Sequence, residues 1–120
     1  MTRLSMFRGD DESFDVAVVE ADGTTPVNLS GATLRFTAKQ KINDLDASAV
    51  IELSTDEGTI TVTDATHGLA RLDVPAAQTD LLTRDLRLVW DLQITDIFSK
   101  VRTVATGHLI VRRDITRTVP

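Results

Sequence analysis

The sequence predicts an all-β domain, built as an antiparallel sandwich or barrel. Two runs carry the prediction, because their apolar residues alternate with polar ones at the period of a half-buried strand. In the run over residues 86–95, one side collects the apolar residues: Leu86, Leu88, Trp90, Leu92 and Ile94. The run over residues 27–38 shows a similar alternation. Turn signals recur between such runs at close intervals, as an all-β domain requires.

The amino-terminal half contains four predicted strands, over residues 14–20, 33–39, 50–53 and 59–63. The first ends at Asp22-Gly23, a dipeptide that favours a tight turn, and Ser30-Gly31 marks the next break. Residues 40–48 lose the alternation and predict a long surface loop. The predicted core residues of this half are Phe14, Val16, Val18, Leu34 and Phe36.

The carboxy-terminal half contains three predicted strands, over residues 69–74, 86–95 and 101–111. A short helix of about two turns is predicted near residues 75–83, because Pro75 suits a first helical position and Leu81 and Leu82 follow. The last strand is predicted to turn one face inward: Val101, Thr103, Ala105, Gly107, Leu109 and Val111. Gly107 suggests a bulge or a close approach of another backbone. The predicted core residues of this half are Leu88, Trp90, Leu92, Ile94 and Leu109.

Length and composition predict a single domain. A chain of 120 residues with 42% hydrophobic and 26% charged residues suits one folded unit over residues 1–120, with a core over about 7–116. Without cysteine it has no disulfide framework and no thiolate metal site. A net charge of -5 without a basic stripe argues against nucleic acid as a partner. No apolar stretch of about 18 residues is present, so no membrane span is expected.

The polar residues predict no catalytic site. His67 and His108 are the two histidines, and neither lies in a zinc-binding spacing. Nucleophile-elbow and phosphate-loop motifs are absent from the sequence. Trp90 is in phase with the predicted core, so we interpret it as a core residue rather than a sugar-stacking platform. We therefore expect no enzyme, no cofactor and no metal.

Both ends of the chain carry apolar residues with polar flanks. They are Leu4, Met6 and Phe7 at one end and Ile115 and Val119 at the other. Chain ends are normally frayed unless something holds them. We expect these five residues to form a partner interface, with an open sheet edge adding backbone hydrogen bonds.

Four segments carry a resemblance to a known family. They are Arg8-Gly9-Asp10, Leu29-Ser30-Gly31-Ala32-Thr33, Asp91-Leu92-Gln93 and the stretch from Arg102-Thr103 to Gly107. In this order the chain resembles the immunoglobulin-like domains of tailed-bacteriophage tail proteins, in particular the amino-terminal domain of the phage baseplate upper protein. The resemblance covers roughly residues 7–116. It implies an immunoglobulin-like β-sandwich that docks onto other virion proteins.

The resemblance also sets the expected function. It favours a non-enzymatic structural subunit of a virion, a joining or adaptor protein of the tail, baseplate or fibre attachment. The implied partners are other virion proteins in a multi-copy assembly, and the implied location is the virion, assembled in the host cytoplasm. The alternative is an adhesion module that binds glycans or proteins of the host surface.

Overall fold

The computed structural model describes residues 2–7, 11–20, 22–41, 49–79 and 85–112. The predicted loop over 40–48 therefore lies mostly outside the described residues. Eight strands are present there: β1 (Thr2–Phe7), β2 (Glu12–Ala17), β3 (Thr33–Lys39), β4 (Ile51–Ser54), β5 (Ile60–Asp64), β6 (Leu69–Val74), β7 (Leu86–Thr95) and β8 (Val101–Arg112).

The strands form the two sheets of an immunoglobulin-like sandwich. The larger sheet has the order β1-β8-β7-β3-β4, and the smaller has the order β2-β6-β5. Strands β2, β6 and β5 take the places of B, E and D, and strands β8, β7, β3 and β4 those of G, F, C and C′. Neighbouring strands are antiparallel, with the exception of β1, which runs parallel to β8. The predicted fold class is thus confirmed.

The core lies between the sheets and is centred on β7. Trp90 stands opposite Ala38 of β3 and Gly107 of β8. Its ring packs against Phe36 with centroids 5.2 Å apart. Of the predicted core residues, eight are buried: Val18, Leu34, Phe36, Leu88, Trp90, Leu92, Ile94 and Leu109.

Two predicted core residues, Phe14 and Val16, are only partly buried, although both pack against the core. They lie on β2, which is an outer strand of the smaller sheet. The edge position alone does not account for this, because Ile51 and Leu53 on the edge strand β4 are fully buried. The periodicity predicted the inward face of β2 correctly and overestimated how completely that face is covered.

Strand β8 changes face along its length, contrary to the prediction of one inward face. The register moves from Leu92 opposite Ala105 to Gln93 opposite Thr103, so that Val104 is an extra residue, a β-bulge. The bulge leaves Gly107 and Leu109 inward, but it places Val101 on the surface with 64% exposure. The predicted irregularity therefore lies at Val104 rather than at Gly107.

The amino-terminal segment is a strand of the larger sheet. Met6 stands opposite Val111 and is 3% exposed, within the hydrophobic core. The prediction of Met6 as an exposed partner anchor is therefore wrong, because its side chain is already buried in its own chain. The structure does not describe the other four predicted anchors. For Leu4 and Phe7 it describes the backbone but not the side chain, and Ile115 and Val119 lie wholly outside the described residues.

The segment predicted as a helix begins with a single 3-10 turn over Ala76–Gln78. Pro75 precedes it in an extended conformation, and the Ala76 N–H donates to the Asp11 carboxylate at 2.9 Å. Residues 80–84 are outside the described range, so the second half of the predicted helix is too. A second 3-10 turn covers Ala65–His67. No helix in the described ranges has the length and apolarity that crossing a membrane requires.

Replacing Trp90 tests the centre of the core. We expect Trp90→Ala to lower the free energy of unfolding by about 3–5 kcal/mol, because a large buried ring is lost and a cavity is left. Chemical denaturation measures this. Trp90→Phe is the matched control, and we expect it to cost less, because it keeps an aromatic ring and the indole N–H has no hydrogen-bond partner among the described residues. A Trp90→Ala variant with an unchanged midpoint would contradict the assignment.

Candidate functional site

Large apolar side chains are exposed at one end of the sandwich. In the connection between β7 and β8, Ile97 is 67% exposed and Phe98 is 77% exposed. Val101 follows at the start of β8 and is exposed too. Within the described residues, the other large exposed apolar residue is Leu69, at 39%. We call Ile97, Phe98 and Val101 the hairpin tip. An apolar cluster of this kind in a loop is typical of a protein contact site.

The backbone of the hairpin tip is held in one conformation by Asp96. Its carboxylate accepts hydrogen bonds from the Phe98 N–H at 2.9 Å and the Lys100 N–H at 3.0 Å. Its own N–H donates to the Lys100 carbonyl, and its carbonyl accepts from the Ser99 N–H, both at 3.0 Å. Ser99 has a φ of 62°, in the left-handed region that such a turn requires. The loop is therefore organised before any partner arrives.

The segment between β2 and β3 supports the hairpin tip from the side. Gly31 has a φ of 71°, and a β-carbon built on it would lie 2.5 Å from Cγ2 of Ile97. Only glycine permits this approach. Ile97 thus packs on Gly31, while Phe98 stays 77% exposed.

A groove of about 640 Å³ lies between the hairpin tip and the segment that contains Gly31. Val27 and Ile94, both buried, contribute to its lining. An ion pair crosses its side, where Arg102 of β8 donates to Glu20 after β2 at 3.1 Å. The site thus combines apolar side chains with a charged border, which suits contact with another polypeptide.

The histidines lie away from this groove. His67 is in an exposed turn, where its Nδ1 lies 2.8 Å from the Asp64 carboxylate, and this hydrogen bond lowers the pKa of Asp64 below its ordinary value. His108 is on β8, opposite Val89. In the ranges that the structure describes, no group of three or more acidic or histidine side chains is placed to hold a metal ion.

Sequence reasoning placed residues 96–100 in a hairpin loop but did not identify them as a site. The signal was present, because Ile97 and Phe98 interrupt a turn where polar residues are the rule. The bulge at Val104, which turns Val101 outward, had no such signal. The predicted interface residues at the chain ends lie apart from the hairpin tip, or outside the described residues.

The β4 edge of the larger sheet is closed by side chains. The Gln78 amide mimics a neighbouring strand, since its Oε1 accepts from the Glu52 N–H at 3.0 Å and its Nε2 donates to the Glu52 carbonyl at 3.1 Å. Thr59 does the same for Ser54, accepting at Oγ1 from its N–H at 2.9 Å and donating its own N–H to the Ser54 carbonyl at 3.1 Å. Glu52 and Ser54 are the two residues of β4 whose backbone faces away from β3, so strand addition is blocked there.

Comparison with known proteins returned a structural similarity and no sequence relative. No protein-family model and no curated protein matches the chain. The fold is similar to AggA, the major subunit of aggregative adherence fimbriae type I from Escherichia coli, with 10% sequence identity. The alignment covers 95% of this chain and 91% of AggA, with a TM-score of 0.36.

The contact between Gly31 and Ile97 yields a stability prediction with an internal control. Gly31→Ala and Gly23→Ala both place a side chain at positive φ, but the space around Gly23 is open. We expect Gly23→Ala to cost about 1 kcal/mol of unfolding free energy and Gly31→Ala about 1 kcal/mol more, within the usual range for such strain. Urea denaturation measures both. Equal costs would mean that the two segments are not in contact.

Removal of the Gln78 amide tests the closed edge. We expect Gln78→Ala to lower the unfolding free energy by about 1–2 kcal/mol, because two hydrogen bonds to Glu52 are lost. The Glu52 amide should also exchange its hydrogen faster, as measured by NMR. Gln40→Ala, at an exposed position, is the control and should change neither. Unchanged exchange at Glu52 would contradict the role given to Gln78.

Proposed function

We propose that the chain is a non-enzymatic structural subunit of a bacteriophage virion, a joining or adaptor protein of the tail, baseplate or fibre attachment. The observation that carries the proposal is the hairpin tip. A preorganised loop with exposed Ile97 and Phe98 is suited to docking onto another protein. The resemblance to phage tail domains supplies the setting, and on this proposal the protein is located in the virion after assembly in the host cytoplasm.

Docking through the hairpin tip needs no cofactor and no chemical step. Phe98 supplies an aromatic side chain that a partner pocket can enclose, while Lys100, Arg102 and Glu20 provide polar contacts around it. A contact of this kind gains its energy from burying apolar surface, and its charged rim selects the orientation. Ile115 and Val119 remain predicted as a second set of contacts with neighbouring virion proteins.

An adhesion module is the second candidate, and one feature of the fold favours it. The hairpin tip and the segment around Gly31 occupy the positions of the F–G and B–C loops, which in antibody variable domains form part of the binding site. A host-surface protein would then take the place of the virion partner. For a glycan ligand the exposed aromatic residue would be Phe98, since Trp90 is buried.

Substitution of Phe98 tests the proposal. In purified virions we expect Phe98→Asp to reduce the amount of this protein at least tenfold, because a charge replaces the apolar anchor. Phe98→Leu, which keeps an apolar side chain, should be incorporated nearly normally. The isolated Phe98→Asp protein should keep its unfolding free energy within about 0.5 kcal/mol of wild type, since the side chain is exposed.

Two results would contradict the structural role. Full incorporation of Phe98→Asp would exclude the hairpin tip as the virion contact. Binding to a glycan array or to host cells that is lost in Phe98→Asp would favour the adhesion module instead.

A further inference from the structure

Strand β2 is an open edge of the smaller sheet, in contrast to the closed edge of β4. Its pairing with β6, and the hydrogen bond from the Val18 N–H to the Gly68 carbonyl at 2.8 Å, fix which backbone groups face β6. Because these groups alternate along an antiparallel pair, those of Ser13, Asp15 and Ala17 point away from β6. Among the described residues, nothing hydrogen-bonds to the outward backbone groups of Asp15 or Ala17.

The apolar side chains of this edge are incompletely covered. Phe14 and Val16 point inward from β2 and pack against the core, yet both stay partly exposed. On the closed edge, Ile51 and Leu53 of β4 are fully buried. A further strand beside β2 would cover Phe14 and Val16 and pair with the free backbone groups in one step. This is the geometry of strand addition, in which the backbone provides affinity and alternate side chains provide specificity.

The charge along the open edge is negative. Asp11 and Glu12 lie where β2 begins, and Asp15 is exposed further along it. Arg71 stands opposite Asp15 on β6, but its guanidinium bonds to the Asp73 carboxylate, with Nε 3.1 Å from Oδ1. No described residue pairs with the Asp15 carboxylate. An incoming strand with a cation opposite Asp15 therefore gains a cross-strand ion pair.

The alternation of β2 fixes the chemistry that an added strand needs. In an antiparallel pairing, the residues opposite Phe14 and Val16 turn inward with them, and the residue opposite Asp15 turns outward with it. The added strand therefore needs an apolar, a basic and an apolar residue at three consecutive positions. A basic residue two positions from the apolar ones would turn inward with them and could not meet Asp15.

The sequence has this pattern at three places, and all of them are already used. They are Leu34-Arg35-Phe36, Ala70-Arg71-Leu72 and Leu86-Arg87-Leu88. These triplets lie in β3, β6 and β7, and each of those strands pairs with a neighbour on both sides. Residues 1–120 therefore contain no free segment with the required pattern.

We propose that the β2 edge binds an extended segment of a different protein, in which a basic residue stands between two apolar residues. The segment joins the smaller sheet antiparallel to β2, with its basic side chain beside Asp15 and its apolar side chains against Phe14 and Val16. The contact extends the sheet to four strands. It uses a different surface from the hairpin tip, so it can fail independently of the proposed function.

A pair of synthetic peptides tests the proposal on the full-length protein. The probe is Gly-Thr-Val-Lys-Val-Thr-Gly, blocked at both ends. The control, Gly-Val-Thr-Lys-Thr-Val-Gly, has the same composition but carries its lysine on the face of the valines. Binding is followed by NMR through the amide signals of Asp15 and Ala17. We expect the probe to bind with a Kd of about 1 mM or below, and the control about fivefold more weakly. The probe should also slow hydrogen exchange of both amides.

A charge exchange tests the register. Asp15→Lys should weaken binding of the probe about fivefold, because an attractive cross-strand pair becomes repulsive. A peptide with glutamate in place of the lysine should bind Asp15→Lys better than it binds the wild type. Asp56→Lys, an equal charge change at an exposed turn, should bind the probe as the wild type does.

Removal of one edge donor tests the backbone contact independently of charge. Ala17→Pro lacks the outward N–H of this position, and an edge strand tolerates proline where its N–H faces solvent. We expect it to bind the probe about fivefold more weakly, because a ladder hydrogen bond is lost. Ala17→Ser, which keeps the N–H, should bind normally. Circular dichroism and denaturation midpoints establish that each variant is folded.

Three results would overturn the proposal. They are no binding at about 10 mM probe, equal affinity for the probe and the control, and amide shifts confined to residues outside β2. Phe98→Asp should bind the probe as the wild type does, so its effect on virion incorporation reports on the proposed function alone. Loss of probe binding in Phe98→Asp would place the peptide at the hairpin tip and would also overturn the proposal.

Discussion

Strand β7 is the element on which the rest of the structure depends. It pairs with β3 on one side and with β8 on the other, and its five inward side chains are all buried. Removing it would separate the larger sheet into two pieces and open the core at Trp90. The hairpin tip is the direct continuation of β7 into β8. Its position is therefore set by the most deeply packed strand pair, as expected for a binding loop on a rigid scaffold.

The sheet edges are treated differently, and this asymmetry has structural consequences. At β4 the side chains of Gln78 and Thr59 take up the outward hydrogen-bonding groups, so this edge is protected against pairing. On its other side the larger sheet ends in β1, which pairs in parallel with β8 and contributes Met6 to the core. Strand β2 has no cover of the kind seen at β4 among the described residues. An unprotected edge beside partly exposed Phe14 is costly for a monomer and useful for a subunit.

The sequence predicted the central strands well and the outer ones less well. In β3 and β7, pairing on both sides makes every inward residue a buried one, so periodicity and burial agree. In β2 the periodicity was correct, but Phe14 is only partly buried. Strand β1 was missed although Leu4 and Met6 alternate with Arg3 and Ser5, because six residues at a chain end have no flanking turn to define them.

Other differences arise where one local pattern has two solutions. Val104 and Ala105 are both apolar, so the alternation could not show which of them is the extra residue of the bulge. The segment after Pro75 had the composition of a helix start, yet the structure uses its first turn to place Gln78 against the edge of β4. At the candidate site, the sequence shows that Ile97 and Phe98 are apolar residues in a turn. It does not show the hydrogen bonds to Asp96 that order this turn.

The size of the hairpin tip constrains how the protein can work in an assembly. Stable protein interfaces bury about 800 Å² on each partner, and three exposed side chains account for only part of that area. A tip of this size suits one contact among several, because linked weak contacts raise the effective concentration of each other. The hairpin tip lies at the end of the sandwich where β2 finishes, and β8 ends at the opposite end. A second contact made at that opposite end would not compete with the tip for the same surface, so the two binding energies could add.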